Sequence, residues 1–92
     1  MEASAFLVLI KSEEMPTIFI KEGFRFFFYS NDHLPKHVHI EKENKTAKFN
    51  LDPVQLIKSS KFTASELRQM RNLVEDNIEI LINKWDEYFS NQ

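Results

Sequence analysis

The chain has 92 residues, no cysteine, a single glycine, nine phenylalanines and a net charge of −2. That length supports one modest core and no separate substrate lobe, and the aromatic content argues against disorder. Without cysteine there are no disulfides, no thiolate chemistry and no Cys-based zinc or iron–sulfur site, while the weak negative charge gives no general attraction to nucleic acid.

The predicted elements run as follows. Residues 1–14 read as an appendage whose plainest structural assignment is an extra edge strand. The apolar run from Ala5 to Ile10 is too short to span a bilayer, and Glu2 stands where a signal peptide needs positive charge, so a cytoplasmic protein without membrane attachment is expected. Residues 17–20 form a strand, and Gly23 breaks it with a tight turn. The next strand, 24–30, alternates Phe24, Phe26 and Phe28 against Arg25, Phe27 and Tyr29. Residues 30–36 carry Asn, Asp and Pro and read as a loop.

Residues 37–42 alternate Val38 and Ile40 against His37, His39 and Glu41, so the apolar pair should face the core and the histidines should face away from it. Glu43 and Asn44 suit a hairpin turn into the strand 45–51, which carries Ala47, Phe49 and Leu51 on one face. Asp52 and Pro53 have the form of an N-cap and a first helical residue, predicting a short helix over 54–58. Thr63 and Glu66 form a capping-box pattern, predicting one long helix from Ala64 to about Phe89. Its stripe of Leu67, Met70, Val74, Ile78, Leu81, Trp85 and Tyr88 should cover the sheet. Leu73 and Ile80 fall on a flank outside that stripe with Asn77 between them, an arrangement suited to a helix-paired homodimer or a partner protein. The fold class is therefore α+β: a small antiparallel sheet of three to five strands packed on a long C-terminal amphipathic helix, with a short preceding helix.

All the histidines fall between Asp32 and Glu41. Two residues apart on a strand, His37 and His39 have Cα atoms about 6.5 Å apart and side chains on one face, so both imidazoles can reach one divalent, zinc-type ion, with Glu41 or Asp32 as a third ligand. A second reading is metal-free acid–base chemistry by His33, His37 and His39, as in cleavage of RNA, with Arg25, Lys36 and Lys48 contacting phosphate and Tyr29 and Phe27 offering stacking surfaces. The third is structural: Asp32 caps its loop and the histidines pack in a small cluster or an interface. The spacing leaves all three open.

The run Met15-Pro16-Thr17-Ile18, the segment from Phe26 to Tyr29 leading into Asn31-Asp32-His33, then Pro35, His37 and His39, and a C-terminal helix bearing Asn83-Lys84-Trp85 resemble the bacterial family called domain of unknown function 4160. The resemblance covers residues 15–92 as a single domain and leaves residues 1–14 outside it, as an over-called start codon would. Family members commonly have a second proline where this chain has Lys36. The resemblance implies a small protein-interaction domain of a two-gene, toxin–antitoxin-like module, partnered by the product of an adjacent gene; it transfers no catalytic residue. The alternative is a His-based nuclease or a divalent-metal-binding protein.

Overall fold

The computed structural model describes residues 17–89. The edge strand expected within residues 1–14 lies outside them. Five strands, β1 (Thr17–Lys21), β2 (Phe24–Phe27), β3 (His37–Lys42), β4 (Lys45–Leu51) and β5 (Val54–Ser60), form one antiparallel sheet in sequence order, followed by α1 (Ala64–Asp76) and α2 (Ile78–Phe89). Glu22 and Gly23 both take positive φ (54° and 84°), as a two-residue turn matching the sheet twist requires, and Gln69 of α1 donates to the Glu22 carboxylate at 2.6 Å. Alternation sends Phe24, Phe26, Val38, Ile40, Ala47, Phe49 and Leu51 to one face, where they pack with Phe28 and with Met70, Val74, Leu81 and Trp85 of the helices. Each of the larger side chains among them contributes on the order of 1.5–3 kcal/mol by leaving water, which makes this face the core.

The short helix expected at 54–58 is instead strand β5. Asp52 and Pro53 form the turn of the β4–β5 hairpin, and the free edge of β4 takes Val54 to Ser60 as its partner. Val54 and Leu56 pack on the core with Gln55 exposed between them, a period of two that a short apolar run satisfies as readily as a helical one.

Between Lys48 and Phe49 the β4–β5 register slips: Phe49 pairs with Leu56, Lys48 pairs with Lys58, and Ile57 is the extra residue of a bulge. The bulge reverses the sidedness of the rest of β5. Lys58 and Ser60, which plain alternation from Leu56 would turn toward the core, lie beside Lys48 and Thr46 on the opposite face.

The capping box forms as expected: Glu66 N–H donates to Thr63 Oγ1 at 3.1 Å and Thr63 N–H to Glu66 Oε1 at 2.9 Å. The single long helix does not. Asn77, with φ −116° and ψ 21°, ends α1, and its side-chain amide donates to the Leu73 carbonyl at 2.7 Å, the competition with helix backbone that asparagine offers. This break corrects the proposed interface. Leu73 is core (8 % exposed) and Asn77 is buried as a cap, so of the three residues only Ile80 remains exposed. Among the described residues no helix is long and apolar enough to cross a membrane.

Candidate metal centre

The sheet face away from the helices is not bare. Phe27 is buried there outside the main core, under the Arg25 guanidinium (4.2 Å from the ring centroid), stacked with His39 at 5.5 Å and edge-on to Tyr29 at 5.2 Å. Arg25 is further held by Glu41 at 2.8 Å and Thr17 at 2.8 Å. Glu41, a candidate third ligand, thus pairs with Arg25 and stands apart from the histidines.

The third group is Asp32. The loop after β2 closes on itself, with Asp32 N–H donating to the Tyr29 carbonyl at 3.1 Å and Tyr29 N–H donating to Asp32 Oδ2 at 2.9 Å, and this turn aims the carboxylate back at β3. His39 Nε2 lies 3.2 Å from both Asp32 oxygens, and His37 Nε2 lies 3.1 Å from Oδ1. The three ligand-bearing groups fall within 4.8 Å of one another.

His37 is not on an open face, as strand alternation alone suggested. It is 4 % exposed, because Trp85 of α2 packs against its ring at 5.1 Å and His39 meets it edge-on at 5.0 Å. It does share Asp32 with His39, so the two imidazoles converge as expected. Its Nδ1 lies 2.8 Å from the Pro35 carbonyl, which can only accept, so Nδ1 carries a proton and the ring is held with Nε2 turned toward Asp32. That atom is buried without a hydrogen-bond partner, although Asp32 Oδ1 lies only 3.1 Å away.

The electrostatics favour an ionised Asp32 beside a His39 that resists protonation. Burial raises the Asp32 carboxyl, but the Tyr29 amide and the two imidazoles outweigh it and hold it below its ordinary value of 3.8. Burial pushes His39 below 6.5, and the opposing pull of Asp32 does not overcome it, with His37 and Lys48 adding to the depression.

The other candidates fall around this centre. Lys36 pairs with Asp86 at 2.8 Å and ties the loop to α2. His33 is exposed, outside the cluster, and lines an open cleft of about 630 Å³ with Asp32, Leu34, Trp85 and Phe89. Tyr29 meets His39 edge-on at 4.6 Å, and Lys48 sits opposite His39 in the β3–β4 register. Sequence reasoning missed Trp85 as a wall of the site, although Trp85 stood in the matched C-terminal motif.

The family model described as Domain of unknown function (DUF4160) matches residues 23–86, which takes in Asp32, His37, His39 and Trp85. The chain belongs to this family. No curated protein and no solved structure matches it.

Proposed function

We propose that this DUF4160 domain binds a divalent, zinc-type cation through Asp32, His37 and His39. The observation that carries the reading is the buried His37 Nε2, left without a hydrogen-bond partner 3.1 Å from the Asp32 carboxylate while Nδ1 is anchored on the Pro35 carbonyl. A backbone carbonyl that accepts from the far nitrogen of the ring is what orients ligating histidines. Two ligands each about 2.0–2.1 Å from a tetrahedral ion lie about 3.3 Å apart, close to the 3.1 Å and 3.2 Å gaps between Asp32 and the two imidazoles. His39 Nε2 becomes a ligand when its proton moves to Nδ1. Three protein ligands beside an open cleft leave a coordination position for water or an anion, the pattern of a working rather than a purely structural ion.

The chain has one tryptophan, and its ring touches His37, so Trp85 fluorescence reports on the site. Titration with cobalt or nickel should quench it saturably at pH 7.5, with zinc competing the quenching away. Asp32→Asn and the double change His37→Ala, His39→Ala should abolish the response. Quenching that is linear in metal concentration, or equal in the variants, rejects the reading.

The exposed apolar Leu34 (74 % exposed) on the loop that carries Asp32 favours a second reading, in which this domain is the interaction module of a two-gene, toxin–antitoxin-like pair and the loop seats the partner beside the metal. Co-purification with the product of the adjacent gene, lost on Leu34→Asp, tests it.

A further inference from the structure

Across the helix-free face of the sheet one row runs strand by strand: Phe27 of β2 pairs with His39 of β3, His39 with Lys48 of β4, and Lys48 with Lys58 of β5. Two lysines are thus direct cross-strand partners, a placement of like charges that destabilises a sheet. Neither lysine forms an ion pair among the described residues, and the nearby Glu41 is already taken by Arg25. The placement is also not what the strand does by default, because only the bulge at Ile57 brings Lys58 onto this face.

The row floors a concavity of about 330 Å³ whose rim includes Tyr29, Thr46 and Ser60. Tyr29 is 39 % exposed and held edge-on by Phe27 and His39, so its ring is fixed while one side stays open to solvent. A ligand for this surface must carry negative charge over the lysines and a flat ring against Tyr29, with the Thr46 and Ser60 hydroxyls offering hydrogen bonds at its edge.

We propose that single-stranded nucleic acid binds across this face, a backbone phosphate between Lys48 and Lys58 and a neighbouring base on Tyr29. Phosphate charge and base stacking are the paired features by which sequence-tolerant single-strand binders hold their ligand. Duplexes do not fit the same description, since their bases are already stacked and closed to Tyr29. An acidic protein segment would meet the lysines but would leave the aromatic rim without a stacking partner. The proposal goes beyond the metal reading: it shares His39 with that centre but needs no ion.

The test is fluorescence anisotropy of a labelled ten-nucleotide single-stranded RNA and the matching DNA in EDTA at low salt, which separates it from the metal reading. Saturable binding of either strand, with the RNA and DNA arms showing whether the 2′-hydroxyl contributes, supports the proposal. Each phosphate neutralised on a single strand contributes about 0.7 to the slope of log affinity against log salt, so Lys48→Gln with Lys58→Gln, which together hold one phosphate, should flatten that slope by about 0.7. Tyr29→Ala should weaken binding by about five- to a hundredfold without changing the salt slope. Circular dichroism melts confirm that the variants fold. No binding of either strand, binding unchanged in the folded lysine variant, equal competition by duplex RNA, or stronger competition by polyglutamate than by unlabelled strand overturns it.

Discussion

Without metal, the two histidines that reach Asp32 should respond very unequally to the same substitution. His37→Leu removes a buried nitrogen that has no partner, which recovers about 1–3 kcal/mol of desolvation cost. It also loses the Nδ1–H bond to Pro35, about 1 kcal/mol, and the ring contact with Trp85, about 1 kcal/mol. The balance lies near zero. His39→Leu has no such gain: it loses a hydrogen bond to an ionised carboxylate, about 1.5–3 kcal/mol, and ring contacts with Phe27 and Tyr29, about 1 kcal/mol each. The variants should therefore differ by about 3 kcal/mol or more, at least about 12 °C in Tm for a domain of this size. Calorimetry in EDTA reads that gap. Zinc at a hundred times its Kd should then stabilise the unmodified protein by about 2.7 kcal/mol and neither variant. If His37→Leu loses as much stability as His39→Leu in EDTA, His37 Nε2 is satisfied in the metal-free fold and the argument for a cation falls.

Acid should destabilise the metal-free fold in two steps. Because His39 is held below 6.5, the unfolded chain takes up a proton the folded one resists, so stability falls as pH drops through 6.5; the stability that Asp32 contributes above 3.8 is lost as pH falls through its depressed folded value. Urea midpoints measured from pH 8 to 3 should show both steps, with the first flattened by His39→Leu. Leu73→Glu should unfold the domain, by 4 kcal/mol or more, whereas Ile80→Glu should stay within about 0.5 kcal/mol. Sedimentation of Ile80→Glu against the unmodified protein then tests what is left of helix-flank association: identical values rule it out. A chain of residues 15–92 should melt as cooperatively as the full chain, and loss of cooperativity would show that residues 1–14 belong to the fold.

The elements legible in the sequence are those whose determinants are local. Alternation of Phe24, Phe26 and Phe28 placed β2, Gly23 and Asn44 placed two turns, and Thr63 with Glu66 placed the helix start, because each acts on its own backbone within a few residues. The failures share one cause. Whether Asp52-Pro53 opens a helix or turns a hairpin depends on the free edge of β4, and whether Asn77 sits within a helix or ends one depends on its amide finding the Leu73 carbonyl inside a packed interface. Leu73 read as a flank residue only because the stripe was projected along an unbroken helix; the break at Asn77 lets α1 and α2 each turn their own apolar side inward.

The site divides along the same line. Strand period put His37 and His39 together, and the ladder put Lys48 beside His39, but period says nothing about what closes over the end of a strand. Trp85, from the far end of the chain, decides that His37 is buried, and burial leaves its Nε2 in need of a partner. Asp32 stands 3.1 Å from it without a hydrogen bond, held there by a turn that also satisfies its other oxygen. Lys58 was out of reach altogether, since its face is set by the bulge at Ile57 and the sequence around it carries no glycine or proline to announce one. Both features leave a polar group unanswered: the buried His37 Nε2 at the end of β3 and the paired Lys48 and Lys58 across β4 and β5. Packing alone gives no reason to build either, whereas a cation relieves the first and an anion relieves the second, and His39 is the one side chain that stands in both.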